Sequence, residues 1–135
     1  MVFSVCERTF NQEVLESPVP VLVYFEAPWC ALCRVIHPLL LQFQTQCGGE
    51  IKLAGVNADQ NFKLSNTYRL KSLPTLLLIE KGIVKQRLEG FCGRDDLRQA
   101  LEAIQLTYKI TKKMDTVIKT AALKEINVQL NTIKK

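Results

Sequence analysis

The stretch of sequence that decides the fold spans residues 21–33 and reads VLVYFEAPWCALC. Its first part, residues 21–25, is a continuous apolar, β-branched run, which is typical of a strand buried on both faces of a sheet. The end of the stretch places Cys30 and Cys33 one helical turn apart, shortly after that strand. A Cys-x-x-Cys at a strand-to-helix junction, in a chain that shows no secretion signal, indicates redox chemistry rather than a structural bridge.

Length and charge limit the classes of protein to consider. The 135 residues, 47% of them hydrophobic, can bury one core, and no run approaches the ~18 apolar residues that a transmembrane segment requires. The net charge of +5 comes from residues 107–135, which hold seven lysines and two acidic side chains, whereas residues 1–106 are balanced. We therefore expect no nucleic-acid binding, and a cytoplasmic location because no signal peptide is recognisable.

Hydrophobic periodicity predicts alternating helices and strands along the rest of the chain. The predicted helices are a short one over residues 9–16, a long one that begins near Cys30 and is ended by Cys47-Gly48-Gly49, a short one over residues 61–69, and a closing helix capped by Asp95 or Asp96. The predicted strands cover residues 21–25, 51–58, 75–79 and 83–88. Pro38 should kink the second helix, and Lys81-Gly82 should form a tight turn between the last two strands. This order predicts an α/β fold in which helices flank a mixed central sheet.

Several motifs in the correct order make the chain from about Thr9 to Leu106 resemble the thioredoxin family. They are the Trp-Cys-x-x-Cys segment, Pro38, Asn57-x-Asp59-Gln60-Asn61, Leu73-Pro74-Thr75, Gly82 and Gly90. The resemblance implies a thioredoxin fold, with residues 1–106 as the thioredoxin-like domain. It also implies a protein-disulfide reductase that forms mixed disulfides with client proteins, is recharged by a thioredoxin reductase, and uses no cofactor.

The predicted helix assigns roles to the two thiols. Its N-terminus leaves N–H groups unpaired and carries the positive end of the helix dipole, so a thiolate at Cys30 is stabilised there. Cys30 is therefore the predicted nucleophile, and Cys33 is the predicted resolving thiol. The competing interpretations are that both cysteines are buried core thiols or that they form half of a metal site. A tetrahedral zinc site needs four ligands, however, and only Cys92 and His37 could join the pair, so we expect no metal.

Client contact is expected around the dithiol. Trp29, next to Cys30, should shape the client-binding surface, together with Ala31 and Leu32 between the two thiols. The resemblance implies a cis bond at Leu73-Pro74, which would expose the Leu73 backbone for strand-like pairing with an extended client. An ordinary trans proline before a strand is the alternative.

Beneath the dithiol the chain departs from the family. Tyr24 stands where the family usually has a buried aspartate, and Gly55 stands where it commonly has the opposing lysine. Alternation places Glu26 on the same sheet face as Tyr24. We hypothesise that Glu26 takes over acid/base work near Cys33. The alternative is that Glu26 points to solvent or pairs with Arg34.

The other three cysteines are not predicted to be part of the dithiol chemistry itself. Cys92 lies two residues past Gly90, in a loop that borders the dithiol in this fold, and we consider it a candidate regulatory thiol. Cys6 and Cys47 are expected to be small apolar fillers, since free cysteine is among the most buried residue types.

The last part of the sequence, residues 107–135, is predicted to be a basic amphipathic helical extension. Apolar residues recur there mostly at three- and four-residue intervals, without glycine or proline. Such a helix could pair with a second copy, bind an acidic partner or rest on an anionic membrane surface, or it could simply pack back on the sheet or fray. It supports an alternative function, in which the chain is a thioredoxin-fold adaptor or redox sensor.

Overall fold

A five-stranded mixed sheet forms the centre of the computed structural model, which describes residues 3–109. Its strands are β1 (Phe3–Ser4), β2 (Val21–Glu26), β3 (Lys52–Asn57), β4 (Thr75–Glu80) and β5 (Ile83–Leu88). They lie in the order β1-β3-β2-β4-β5, with β2 parallel to β3 and antiparallel to β4. The predicted mixed sheet is confirmed, whereas the two-residue strand β1, parallel to β3, was not predicted from the sequence.

Within residues 3–109, three α-helices accompany the sheet: α1 (Ala31–Cys47), α2 (Phe62–Thr67) and α3 (residues 94–109). The predicted first helix is a π-helical segment, Asn11–Leu15. Pro38 lies inside α1 without ending it. α1 ends at Cys47 and is followed by its C-cap residue Gly48, whose φ of 56° is in the left-handed region that favours glycine. Because α3 begins at residue 94, the predicted cap was wrong: Asp95 and Asp96 lie in its first turn.

Strict alternation along β2 divides the core between the two faces of the sheet. Val23 and Phe25 belong to a cluster on one face, where Phe10 and Val14 of the N-terminal segment and Leu64 of α2 also pack. Tyr24 lies on the other face, where α1 runs, since its hydroxyl contacts the first turn of that helix. Helices therefore cover both faces, and β2 is shielded from solvent from Val21 to Phe25.

The tight turn predicted between β4 and β5 is confirmed. Lys81 and Gly82 both have positive φ values, 52° and 78°, as a two-residue hairpin turn of the type I′ class requires. The turn sets the register in which Glu80 pairs with Ile83, and an irregularity between Leu78 and Ile79 then shifts the pairing by one residue, so that Leu76 pairs with Leu88. The end of β5 therefore lies beside the start of β4.

Two predictions concern the C-terminal part of the chain. α3 continues through residues 107–109, but the rest of the predicted basic extension, from residue 110 on, lies outside the described residues. The domain boundary at residues 106 and 107 stays a prediction. Within residues 3–109, no helix combines the length and apolar character needed to cross a membrane.

Candidate active site

The dithiol lies at the start of α1, where β2 leads into the helix. A disulfide joins Cys30 to Cys33, with their Cα atoms 5.2 Å apart. Cys30 is the N-cap residue of α1, and its Sγ accepts a hydrogen bond from the Cys33 N–H at 3.1 Å. Both cysteines are buried: Cys33 is 2% exposed and Cys30 is 5% exposed. A thiolate formed at Cys30 would meet an N–H donor that already points at it.

Beside the dithiol, the indole of Trp29 is largely open to solvent. Its exposed fraction is 66%, and its Nε1–H donates a hydrogen bond to Asp59 Oδ2 at 2.8 Å. The Asn57 side chain accepts hydrogen bonds from the N–H groups of Asp59 and Gln60, which fixes the short 3₁₀ turn Ala58–Gln60 after β3. The sequence motif that begins at Asn57 thus holds Trp29 in place across thirty residues of chain, a pairing that sequence reasoning missed.

The cis bond predicted at Leu73-Pro74 is confirmed. Pro74 is buried and comes immediately before Thr75, which pairs with Phe25 near the end of β2. Because β2 and β4 are antiparallel, the sheet brings Pro74 to the end from which the chain runs to Trp29 and Cys30. The Leu73 side chain packs against the core, so it is the Leu73 backbone that remains for the predicted client contact.

Beneath the dithiol, Tyr24 fills the position where the family usually has an acid. The tyrosine is fully buried, and its hydroxyl donates a hydrogen bond to the Cys33 carbonyl at 2.8 Å. Its neighbours in the sheet are Gly55 on β3 and Leu76 on β4. Burial raises the pKa of Tyr24, and the nearby Glu26 carboxylate adds to this effect. The hydroxyl therefore keeps its proton at neutral pH and acts as a donor.

Glu26 lies close enough to Tyr24 to affect the pKa of its hydroxyl. It is the last residue of β2, it is half-buried, and its carboxylate contributes to the raised pKa of Tyr24. No ion pair joins Glu26 to Arg34 in the part of the chain that the structure describes. The proposed acid/base role of Glu26 near Cys33 stays a prediction.

The other predicted site residues are arranged as follows. Ala31 is exposed and Leu32 half-buried, and both belong to the first turn of α1. Cys92 is exposed and follows β5, on the same end of the sheet as Pro74, and its N–H donates to Asp96 Oδ2 at 2.9 Å. No cluster of side chains suited to a metal ion is present within the described range.

The two cysteines predicted to be apolar fillers behave differently. Cys47 is buried at the end of α1, as expected. The prediction for Cys6 was wrong, because Cys6 is only half-buried and borders a shallow cavity of about 310 Å³ with Glu7 and Asn61. Hydrogen bonding by Thr9 lowers the pKa of the Cys6 thiol.

Comparison with known proteins agrees with this geometry. The family model described as Thioredoxin matches residues 1–103. Thioredoxin 1 of Nostoc sp. is 41% identical over 98 residues, which cover 73% of this chain and 92% of that protein. Thioredoxin 1 of Synechococcus elongatus is 40% identical over 90 residues, which cover 67% of this chain and 81% of that protein.

A plant relative carries a different name. The protein named Thioredoxin M4, chloroplastic, of Arabidopsis thaliana is 36% identical over 96 residues, covering 71% of this chain and 50% of that protein. The family match, the relatives and the Cys30–Cys33 disulfide at the start of α1 agree with one another. The chain belongs to the thioredoxin family of thiol–disulfide oxidoreductases.

Proposed function

We propose that the protein reduces disulfide bonds in client proteins, with Cys30 as the nucleophile and Cys33 as the resolving thiol. The observation that carries the proposal is the position of Cys30 at the N-cap of α1, with the Cys33 N–H donating to its Sγ. That donor and the helix dipole favour the thiolate form of Cys30, which is the reactive species. The relatives named as thioredoxins support the same activity.

The reaction transfers two electrons from the dithiol to the client. In the reduced protein, the Cys30 thiolate attacks one sulfur of the client disulfide, and the other client sulfur leaves as a thiolate and takes up a proton. Cys33 then loses its proton and attacks Cys30 Sγ, which releases the second client thiolate. The client gains two protons and two electrons, and the protein ends with the Cys30–Cys33 bond that the structure contains.

Client recognition is proposed to use the surface around the dithiol. Trp29 offers a large exposed ring next to Cys30, and Ala31 and Leu32 lie directly beside it on the first turn of α1. The Leu73 backbone, next to the buried Pro74, would pair with an extended client segment.

Regeneration of the dithiol needs an outside electron donor, for which we propose a thioredoxin reductase. A reductant of this kind works where the surrounding thiol pool is reducing, and we therefore propose a cytoplasmic location. Epitope tagging followed by cell fractionation would test the location, and recovery of the tagged chain in an organelle fraction would contradict it.

Trapping of the mixed disulfide tests the proposed function. In a reduced Cys33→Ser variant the resolving step is blocked, so incubation with native, disulfide-bonded insulin should give a covalent adduct that maps to Cys30 and is cleaved by dithiothreitol. Cys6→Ser is the matched control, because it replaces a half-buried thiol far from the dithiol along the chain and should turn over insulin like the parent. An adduct on Cys6, Cys47 or Cys92 in place of Cys30 would contradict the assignment.

A further inference from the structure

One buried hydrogen bond ties the resolving cysteine to the centre of the sheet. The Tyr24 hydroxyl donates to the Cys33 carbonyl at 2.8 Å, and the tyrosine is fully buried. Tyr24 lies on β2, whereas Cys33 lies in the first turn of α1. The bond therefore connects the most buried strand to the turn that carries the redox chemistry.

The surroundings of Tyr24 hold its ring in one place. On β3 its register partner is Gly55, which has no side chain to compete for the space, and on β4 its partner is the fully buried Leu76. Because the hydroxyl is buried, loss of its acceptor would leave a desolvated polar group, which costs free energy. No buried side-chain nitrogen or oxygen within residues 3–109 lacks a partner. The Cys33 carbonyl is thus an acceptor that satisfies the buried Tyr24 hydroxyl.

The bond matters most when the disulfide is open. In the oxidised protein the covalent link itself fixes Cys33 relative to Cys30. Once a client is attached to Cys30, that link is gone, yet Cys33 Sγ must still reach Cys30 Sγ in line with the bond to be broken. Rates of such intramolecular steps depend steeply on how well the reacting atoms are held together.

We propose that Tyr24 is a positioning residue for Cys33: its hydroxyl anchors the Cys33 peptide to β2 while the mixed disulfide exists, and thereby speeds the intramolecular attack that resolves it. This inference rests on the proposed function. It concerns only the second step, because Cys30, the nucleophile of the first step, precedes α1 and is not held by Tyr24. The raised pKa of Tyr24 keeps the hydroxyl in its donor form.

Single-turnover kinetics of Tyr24→Phe test the proposal. The reduced full-length protein is mixed with oxidised glutathione, quenched in acid at intervals and analysed by mass spectrometry, and peptide mapping follows the Cys30–glutathione adduct alone. The phenylalanine keeps the buried ring and removes only the donor. We expect the adduct to form at the parent rate and to persist about fivefold longer, as expected for loss of one buried hydrogen bond.

Tyr68→Phe is the matched control. It removes the hydroxyl of a half-buried tyrosine whose ring contacts Phe10 and Phe25 on the opposite face of the sheet. We expect the parent lifetime of the adduct in this variant. An unchanged lifetime in Tyr24→Phe, or equal slowing of both steps, would overturn the role of Tyr24. A Cys33→Ser variant, in which the adduct cannot be resolved, that forms no adduct at Cys30 would instead overturn the proposed function.

A measurement on the unsubstituted protein covers the case in which Tyr24→Phe fails to fold. The hydroxyl proton of Tyr24 should be visible by nuclear magnetic resonance, with a coupling across the hydrogen bond to the Cys33 carbonyl carbon. The proposal requires this coupling in both the oxidised and the reduced protein. Its loss on reduction would show that the anchor is absent when the second step needs it, and would overturn the proposal.

Discussion

Two regions flank the dithiol, and they differ in almost every physical respect. The exposed region, Trp29 with Asp59, faces water and is held by a hydrogen bond between side chains at the surface. The buried region, Tyr24 with Gly55 and Leu76, lies inside the sheet and contacts the Cys33 carbonyl. The first matches the family's motif, whereas the second replaces the family's usual acid and lysine. The exposed region thus keeps a family motif beside the dithiol, whereas the buried region has a different set of side chains next to Cys33.

The largest expected difference between the two regions is in stability. Tyr24→Ala would empty a fully buried site and should lower the free energy of unfolding by about 3–5 kcal/mol, whereas Trp29→Ala should cost less than about 1 kcal/mol. Urea titration of the oxidised variants, followed by far-ultraviolet circular dichroism, measures both. Similar losses in the two variants would mean that the two regions do not differ as burial indicates.

The next effect concerns proton transfer beneath the dithiol. If Glu26 is the base for Cys33, Glu26→Gln should slow resolution of the mixed disulfide roughly 10- to 100-fold at neutral pH, and should flatten the dependence of the rate on pH. The measurement is the rate of disulfide exchange between the dithiol and oxidised glutathione over a range of pH.

Glu80→Gln is the matched control for this experiment. Glu80 ends β4 at the opposite end of the sheet and is half-buried like Glu26. It should therefore follow the parent profile. Superimposable profiles for Glu26→Gln and the parent would remove Glu26 from the mechanism and leave proton transfer to solvent.

A smaller effect is expected of Tyr24 on the free energy of unfolding at alkaline pH. The pKa of Tyr24 is raised in the folded protein by burial, whereas in the unfolded chain it is near the ordinary value of about 10. Below about pH 10 both states hold the proton, and above it only the unfolded chain releases it, so stability falls as pH rises. The Tyr24→Phe variant lacks this ionisable hydroxyl. Between about pH 8 and pH 11 the free energy of unfolding of the variant should therefore fall by about 1.4 kcal/mol less than that of the parent.

Urea midpoints at the two pH values measure the alkaline effect. Tyr68→Phe serves for comparison, because burial also raises the pKa of Tyr68 but the residue is partly exposed. Tyr68→Phe should therefore also reduce the loss of stability at high pH, but by less than Tyr24→Phe does. A larger effect at Tyr68 than at Tyr24 would contradict the assignment of Tyr24 as the more deeply buried hydroxyl.

The smallest effect is expected at the exposed region. Asp59→Ala removes the acceptor of the Trp29 indole, and because the pair faces solvent it should change catalytic efficiency toward insulin by no more than about threefold. Trp29 fluorescence should report the altered position of the ring. Asp95→Ala, which removes an exposed carboxylate paired with Arg98, is the control. A tenfold or greater loss of catalytic efficiency would show that the hydrogen bond between Trp29 and Asp59 is needed for the reduction of insulin.

Much of the fold follows from local sequence. The run from Val21 to Phe25 predicts a buried strand, helical spacing after Cys30 predicts α1, and Lys81-Gly82 predicts the turn, all of which the structure confirms within a few residues. Each of these signals is carried by neighbouring residues, because period and turn chemistry are local properties. Strand β1 escaped prediction because two residues show no periodicity and form a strand only by pairing with β3.

The features of the site also fall into two groups, those that the local sequence reveals and those that depend on tertiary packing. The sequence alone locates the Cys30–Cys33 pair and the departure from the family at Tyr24, because residue identity and spacing along the chain define both. Only the tertiary structure decided that Tyr24 donates to the Cys33 carbonyl and that Trp29 donates to Asp59. These contacts join residues from different elements, and their existence depends on strand register and on where α1 lies against the sheet. No local sequence pattern specifies how far α1 lies from the sheet, because the packing of the whole core sets this distance.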